Sequence, residues 1–427
     1  MMLVILLFSL YIFHYDILSP SVIVCSAYVL SILSAIINID SWGVSLNYNT
    51  FYVIVGGMLL FMSVNLIIEY YHKHNDHPFV STIFKIISIQ KYKTIIVCAL
   101  QIIVAFVYAK EVRKISSQYG SFNDFSSMMN IFRNTVSYGN QASIPTIVNQ
   151  FVKVSFVSAL IYEYVIINNL VAGLKTNKMK IYFFPIIIYV FQSILTGARS
   201  NLLILAGAAA IYFNVQWHRK YGWYAMINFK TILKVIAGII LLFCGFYISK
   251  SLVGRFDNSD IITYMTTYTG GSIQLLDMYL ENPINNSGIW GKETFYGLID
   301  LIQKLGLTKT SEYIKHLEFR KSNGVIIGNV YTAYRLYIND FGIIGMIILQ
   351  TIFAFIYCYI YKKIKNKIIN KQVDYLLLVY GLLAYALFIH SINDNFFSSV
   401  FSLNYMTLFI LLKIISYLLI EKKIIIK

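Results

Sequence analysis

The sequence predicts an all-α polytopic membrane protein with about eleven transmembrane helices and a large helical extracytoplasmic loop between the eighth and ninth spans. Composition is the first reason, because 58% of the 427 residues are hydrophobic and only 13% are charged. Soluble domains are nearer ~45–50% apolar and ~25% charged, so the chain is not an ordinary soluble enzyme. The other two reasons are the long apolar stretches and the uneven placement of the basic residues.

Eleven stretches are long and apolar enough to be membrane spans, since a helix needs about 20 such residues to cross the hydrocarbon core. They are residues 2–18, 20–38, 51–71, 93–110, 146–172, 181–196, 200–216, 231–250, 337–361, 373–392 and 399–420. The sixth and seventh stretches adjoin, and one helix over both would be about 54 Å long, well beyond a bilayer. A break at Gly197 is therefore predicted.

Lys and Arg residues set the predicted orientation, because the cytoplasmic loops of membrane proteins are enriched in them. The segments enriched in Lys and Arg are 72–92, 173–180, 217–230, 362–372 and 421–427. They alternate along the chain with short segments, such as 39–50, that carry few or no basic residues. The C-terminus is therefore predicted to be cytoplasmic, and an odd number of spans then puts the N-terminus outside.

The formal net charge of +16 follows from this topology and does not indicate a nucleic-acid surface. The basic residues are spread over separate cytoplasmic segments and form no basic face interleaved with aromatic residues. The outer loop 251–328 is nearly neutral, with seven basic and eight acidic residues. Membrane lipids are therefore expected as partners, and nucleic acid is not.

Three regions follow from the predicted spans. Residues 1–250 hold the first eight transmembrane helices and an outer amphipathic segment at 119–139, residues 251–336 form the extracytoplasmic loop domain, and residues 337–427 hold the last three helices. Apolar residues at helical spacing also predict short helices on the outer side. These are expected at 122–132, along the outer interface, and in the loop at 272–281, 293–306 and 311–319, the last ended by Ser322-Asn323-Gly324.

Motifs of soluble enzymes are missing from the sequence, which has no Walker A loop, Rossmann fingerprint, HExxH or GxSxG. The four cysteines stand alone in apolar runs, and the cluster His72, His74, Asp76 and His77 lies in a cytoplasmic loop beside several lysines. No metal and no cofactor are predicted. The candidate residues are instead polar side chains at the outer ends of the predicted helices.

Arg199 is the first candidate, because it follows Gly197 between two apolar spans and directly precedes the second. A guanidinium beside the free N–H groups of a helix start forms an anion site suited to a diphosphate. The alternative is an arginine that only extends to the membrane interface. Arginine is scarce, with seven residues in the chain, and Arg133 and Arg255 are further candidate substrate ligands on the outer side.

Arg335 and Asp340 lie in NVYTAYRLYINDFGIIG (329–345), which leads from the outer loop into the ninth span. Ionisable residues at that depth are functional candidates by default. The alternative is a structural arginine–carboxylate pair. The two residues do not share a helix face, and Asp340-Phe341-Gly342 predicts a helix start. Tyr331 begins a tyrosine-rich stretch that could stack on a sugar, although an interfacial aromatic belt explains the same enrichment.

His390 lies near the outer end of the tenth span in FIHSINDNFF, with Asp394 four residues later. On one helix face the two would meet, and a histidine oriented by a carboxylate is a usable general base. A histidine whose hydrogen bonds are satisfied at a helix end is the competing interpretation. Asp277, in the predicted loop helix 272–281, is either a substrate ligand or part of a solvated face.

Four segments together resemble the bacterial O-antigen and capsule repeat-unit polymerases, the Wzy type. The resemblance lies in the order and sidedness of these segments rather than in one specific motif. They are TGARS between two central spans, YTGGSIQLLDMYLENP in the outer loop, NVYTAYRLYINDFGIIG before a late span, and YGSFNDFSSMMNIFRNTVSYG at 119–139.

The resemblance implies a glycosyltransferase in the bacterial cytoplasmic membrane that acts at the outer face. Such an enzyme transfers a growing glycan from undecaprenyl diphosphate to the terminal sugar hydroxyl of a newly arrived lipid-linked repeat unit, and so builds O-antigen or capsular polysaccharide. It uses no nucleotide, cofactor or metal, and its expected partners are the lipid-linked oligosaccharide, a chain-length regulator and a flippase. The resemblance implies Arg199 and Arg335 as diphosphate ligands and His390, oriented by Asp394, as the base.

Two other functions remain open. One is a flippase for lipid-linked oligosaccharides or another polysaccharide exporter, for which duplicated halves would be expected, and the sequence has no clear internal repeat. The other is a transferase of the O-antigen ligase kind, which has the same sidedness. Composition does not separate that transferase from a polymerase.

Overall fold

A computed structural model covers the chain and shows a protein that is 76% helical, with almost no sheet. The chain divides into two compact units. Unit 1 comprises Met1–Val80, Ile262–Ile368 and Leu383–Thr407, and unit 2 comprises Ser81–Ile261, Ile369–Leu382 and Leu408–Lys427. The structure describes all residues except 72–84, 139–140, 198, 224, 226–237, 239–243, 255–258, 284–289, 308–315, 368–372 and 423–427.

Helices and one hairpin make up the described part of the chain. The helices are α1 (Met2–Ile12), α2 (Pro20–Ile37), α3 (Ile39–Trp42), α4 (Tyr48–Tyr71), α5 (Lys91–Tyr119), α6 (Phe125–Arg133), α7 (Thr146–Ala172), α8 (Lys180–Leu195), α9 (Ser200–Tyr221), α10 (Ile261–Glu281), α11 (Tyr296–Lys304), α12 (Ala333–Lys365), α13 (Tyr375–Leu383), α14 (Tyr385–Phe388) and α15 (Leu403–Ser416). The hairpin pairs β1 (Arg320–Ser322) with β2 (Val325–Gly328) in antiparallel register.

Six helical segments among the described residues are long and apolar enough to cross a membrane. They are Pro20–Ile37, Tyr48–Tyr71, Lys91–Tyr119, Thr146–Ala172, Ala333–Lys365 and Leu403–Glu421, and shorter apolar helices lie at Met2–Ile12, Lys180–Leu195 and Tyr375–Phe388. The coarse prediction of a helical membrane protein is therefore supported, and α9 overlaps a further predicted span. Most of the predicted span 231–250 lies outside the described residues. The number of spans, and the division into 1–250, 251–336 and 337–427, stay predictions.

Polar contacts mark the two ends of unit 1. At one end, Lys362 Nζ lies 2.7 Å from a Glu69 oxygen, and Tyr361 donates a 2.7 Å hydrogen bond to Asp16. At the other end, Asp277 accepts a hydrogen bond from Thr50. Thr50 and Glu69 lie near opposite ends of α4, about 28 Å apart at 1.5 Å per residue. This length matches the ~30 Å hydrocarbon core, and the side of the membrane that each end faces stays a prediction.

Glycine allows α4 to approach α12 closely in unit 1. A Cβ atom built on Gly57 would overlap the hydroxyl of Tyr334, which is fully buried on α12. Gln350, farther along α12, donates a 3.4 Å hydrogen bond to the carbonyl of Gly57. The preceding Gly56 has nothing within 4 Å of its built Cβ atom. The two adjacent glycines therefore differ sharply in the room that they leave for a side chain.

We expect Gly57→Ala to lower the free energy of unfolding by about 1–3 kcal/mol, because the added methyl group overlaps a phenol ring that is packed on all sides. Gly56→Ala is the matched control and should be neutral or stabilising by up to about 1 kcal/mol, since alanine favours helices over glycine. Thermal unfolding of the detergent-purified protein measures both. Equal stability of the two variants would contradict the packing of α4 on α12.

Two glycines interrupt helices. The predicted break at Gly197 is confirmed, because α8 ends at Leu195, α9 begins at Ser200, and Gly197 has a φ of 66°. Gly342 has a φ of 67° inside α12 and divides it into two helical segments. The helix start predicted at Asp340-Phe341-Gly342 corresponds to this kink, whereas α12 already begins at Ala333, four residues before the predicted span 337–361.

The outer amphipathic segment forms α6 in unit 2. Asp124 caps this helix by accepting the N–H of Ser127 at 2.7 Å, and these hydrogen bonds lower the pKa of the exposed carboxyl. Its apolar stripe is buried against side chains of α5 and the start of α7, and Met129 and Phe132 are the most enclosed members. The predicted helix is therefore present, and the larger part of its apolar face packs on protein.

The loop helices differ from their predicted limits. The helix α10 begins at Ile261, not at Ser272, because Gly270 and Gly271 permit close packing instead of ending a helix. A Cβ atom at Gly270 would lie 2.5 Å from the backbone nitrogen of Ala35 on α2. The helix α11 lies within the predicted range 293–306. For 311–319, residues 311–315 lie outside the described residues and residues 316–319 are not helical, so that part of the prediction is wrong.

Candidate functional site

Arg335 lies in the first turn of α12, and its side chain is fully buried in unit 1. Its Nη1 atom donates to a Glu293 oxygen, and its Nη2 atom donates to Glu318 Oε2 at 2.9 Å. A buried guanidinium persists when carboxylates neutralise it and accept its hydrogen bonds. The observed geometry is the arginine–carboxylate pairing that the sequence left open as an alternative to a substrate ligand.

Two tyrosine rings complete this group, which we name the Arg335 cluster: Arg335, Glu293, Glu318, Tyr279 and Tyr331. The guanidinium carbon lies 4.8 Å from the ring centre of Tyr279 and 4.9 Å from that of Tyr331. Burial raises the pKa of both phenols above the ordinary value. Tyr331 therefore keeps its proton and donates a 2.9 Å hydrogen bond to Glu318 Oε1. Because Tyr331 is fully buried against Arg335, its ring offers no open face to a sugar, contrary to the prediction.

The hairpin of unit 1 positions Glu318. Its turn is Asn323-Gly324, with positive φ at both residues, as a type I′ turn requires. On the strand side of Glu318, Arg320 donates to the carbonyls of Met278 at 2.6 Å and Asn282 at 2.9 Å, at the end of α10. On the other side, Tyr331 bonds both the backbone and the side chain of Glu318. Glu318 is thus fixed from two elements.

Asp340 holds the segment that carries Glu293. Its Oδ2 atom accepts the backbone N–H of Thr294 at 2.7 Å and that of Glu293 at 3.1 Å. The carboxylate therefore ties this segment to α12, one turn away from Arg335. Its contacts are those of a group that positions Glu293, and its predicted role as a substrate ligand stays a prediction.

His390 occupies a turn after α14 and is buried in unit 1, with an exposed fraction of 1%. Its Nδ1 atom lies 3.2 Å from the hydroxyl of Tyr28, and its carbonyl accepts the N–H of Ala333 at 3.2 Å. The imidazole stacks on Phe353 at 4.8 Å and meets Tyr334 at 5.2 Å, edge to face. His390 is therefore beside the first turn of α12, walled by aromatic rings.

Asp394 does not share a helix with His390, because α14 ends at Phe388 and residues 393–395 are not helical. Its carboxylate accepts the N–H of Ser398 at 2.7 Å and the hydroxyl of Tyr337 at 3.0 Å. It thus caps the turn that follows, which an aspartate does readily. Tyr28 is the described partner of His390 Nδ1, so the predicted orientation of His390 by Asp394 on one helix face is wrong. Burial raises the pKa of Asp394 to about 6.

Asp277 links α10 to the start of α4 in unit 1. It is buried and accepts hydrogen bonds from Thr50 and from the backbone N–H of Asn47, the latter at 2.9 Å. The alternative of a solvated face is therefore excluded. These contacts fasten the outer loop to the membrane helices, and substrate binding by Asp277 stays a prediction.

Arg199 belongs to unit 2, where it is buried just before α9. Its Nη1 atom donates to the carbonyl of Phe246 at 2.7 Å, and its guanidinium carbon lies 3.7 Å from the ring centre of that residue. Its own carbonyl accepts the N–H of Leu202, as a helix-start residue does. Arg133 is partly buried at the end of α6 in the same unit, and Arg255 lies outside the described residues.

Two functional candidates, Glu293 and Glu318, were not predicted from the sequence. They lie 42 and 17 residues before Arg335, so no helical spacing connects them to it. The Asn323-Gly324 dipeptide was the available signal, because it is typical of a hairpin that would return Glu318 toward Tyr331. No comparable signal exists for Glu293.

Comparisons with known proteins add no family to this geometry: no protein-family model, curated protein or solved structure matches the chain. Among the described residues, no group of three or more His, Cys, Asp or Glu side chains is placed to hold a metal ion.

Proposed function

We propose that this protein polymerises lipid-linked oligosaccharide repeat units at the outer face of a bacterial cytoplasmic membrane. The proposed reaction transfers a growing glycan from undecaprenyl diphosphate to a sugar hydroxyl of an incoming lipid-linked unit, and forms O-antigen or capsular polysaccharide. The proposed topology has eleven spans and a cytoplasmic C-terminus. No nucleotide enters the reaction, because the glycosyl-diphosphate bond carries the energy.

One observation carries the proposal: in unit 1, several buried ionisable groups gather around the first turn of α12. Arg335 with its two carboxylates and His390 all meet this turn. The lysine-rich end, with Lys362, belongs to a segment predicted to be cytoplasmic. A lipid carrier presents its diphosphate and sugars at the membrane surface, where such groups would meet them. Buried ionisable groups at helix ends are characteristic of functional sites in membrane proteins.

Within this proposal, Arg199 is the principal ligand for the departing diphosphate. Its guanidinium is held on one side by Phe246 and stands at the start of α9. A helix start contributes a positive dipole end and free N–H groups, and the arginine fork suits phosphate oxygens. Stabilising the developing charge on the leaving group is the largest contribution that such a site can make.

A second candidate function is the flipping or export of a lipid-linked glycan. The kink at Gly342 inside α12 favours it, because transporters bind their substrates where membrane helices are interrupted. The transferase is preferred because, among the described residues of unit 1, the buried charges of the Arg335 cluster and of Lys362 lie near the ends of α12 and not at its middle.

Deletion of the gene tests the proposed function. Loss of a polymerase should leave the glycan acceptor capped by one repeat unit, with no longer chains, when the glycans are separated on a gel. The wild-type gene supplied in trans is the control and should restore the ladder. Loss of even the single repeat unit would contradict a polymerase and favour a flippase or a ligase.

A further inference from the structure

The hydrogen-bonding edge of Arg335 is already occupied by protein. Both terminal nitrogens of the guanidinium donate to carboxylates, Nη1 to Glu293 and Nη2 to Glu318. Because the Arg335 side chain is fully enclosed, a diphosphate could reach it only by displacing one of these carboxylates, and Glu293, with 1% of its side chain exposed, would then lose its charged donor inside the protein. The geometry is that of an arginine that holds carboxylates in place.

The two carboxylates differ in their access to substrate. The Glu293 side chain is enclosed, whereas 26% of the Glu318 side chain is exposed. Oε1 of Glu318 accepts from Tyr331 and lies 3.4 Å from an Arg320 nitrogen. Among the described residues, Arg335 alone donates to Oε2. A carboxylate oxygen has two acceptor positions, so Oε2 can accept one further proton donor.

His390 is less suited to meet a substrate hydroxyl. Its exposed fraction is 1%, and Phe353 and Tyr334 cover the imidazole. A general base must come within hydrogen-bond reach of the proton that it removes. Reaching an acceptor sugar from His390 would require these rings to move, whereas the Glu318 side chain is already partly exposed.

We infer that Glu318 is the general base of the reaction and that Arg335 is the residue that positions it; this inference rests on the proposed function. The acceptor hydroxyl oxygen attacks the anomeric carbon of the donor glycan, and its proton passes to Glu318 Oε2. The bond from that carbon to the diphosphate oxygen breaks, and the lipid diphosphate leaves with the electron pair. This single displacement inverts the anomeric configuration.

The experiment follows polymer formation by the purified full-length protein in detergent, with lipid-linked repeat units extracted from the deletion strain as substrate. Glu318→Gln should lower kcat by about 10²–10⁴-fold, with KM within about threefold of wild type, because the amide keeps the shape but cannot take a proton. Glu281→Gln is the matched control in the same loop; Glu281 is exposed, and its turnover should match wild type.

A second variant covers the case in which the amide disturbs folding. Glu318→Ala leaves space for a small carboxylate, and added formate should then raise its rate at least tenfold without affecting Glu281→Gln. Wild-type kcat in Glu318→Gln, or a raised KM alone, would overturn the role of Glu318 and leave the proposed function standing. Failure of the wild-type protein to elongate these units would overturn the proposed function itself.

Discussion

Replacement of Arg335 by methionine is expected to lower the free energy of unfolding by about 3–5 kcal/mol, the range found when one partner of a buried ion pair is removed. Methionine approximates the volume of the arginine stem but cannot neutralise Glu293, whose carboxylate is enclosed. Glu318 can turn partly to water, so Glu293 accounts for most of the loss. Chemical or thermal unfolding of the detergent-purified protein measures the change.

Two further variants separate this mechanism from general damage to α12. Arg113→Met removes an exposed arginine from α5 and should change stability by no more than about 0.5 kcal/mol. Adding Glu293→Gln to Arg335→Met removes the buried negative charge that Arg335 no longer balances, and should recover part of the lost stability. An Arg335→Met protein as stable as wild type would show that the buried pair is not formed.

Arg199→Ala is expected to abolish long glycan chains while the single repeat unit still reaches its acceptor. The methyl side chain removes the charge and the hydrogen-bond donors that the proposed diphosphate site needs. Gel analysis of the glycans measures both the loss of long chains and the presence of the single repeat unit, and immunoblotting measures the protein level. The result should be seen in the deletion strain carrying the variant gene.

The comparison with lysine tests the geometry at Arg199. Arg199→Lys keeps the charge but loses the planar fork, so chains should be shorter and fewer than wild type, yet present. Arg113→Ala is the matched control and should give the wild-type ladder. A full ladder from Arg199→Ala at normal protein level would exclude Arg199 from the reaction.

Local sequence patterns predicted the helices well where a single element determined the outcome. The apolar runs predicted most of the long helices, and Gly197 between two such runs predicted a real break. Glycine was misleading where its role is packing: Gly270 suggests a position before a helix, but it lies inside α10 at a close approach to α2. Propensity cannot distinguish these two uses of glycine, because the second depends on a neighbouring helix.

The site was less predictable because its groups come from separate parts of the chain. Arg335 was singled out as an ionisable residue close to a membrane span, but its partner Glu293 lies 42 residues earlier in the chain. The pairing of His390 with Asp394 assumed a continuous helix, and the chain instead leaves the helix at Phe388. Once the helix ends, an i, i+4 relation has no geometric meaning, and Asp394 binds the nearest free N–H groups.

The kink at Gly342 also bears on how the chain is made. Residues 343–365 extend about 35 Å at 1.5 Å per residue, enough to cross a bilayer alone. Arg335 and Asp340 precede the kink, so the segment that a translocon would release into lipid is uncharged from Ile343 to Tyr361. An arginine or aspartate at the centre of an inserting helix costs about 2.5–3.5 kcal/mol. The kink at one glycine therefore lets the part of α12 after Gly342 insert into lipid without the energetic cost of Arg335 and Asp340, which precede the kink.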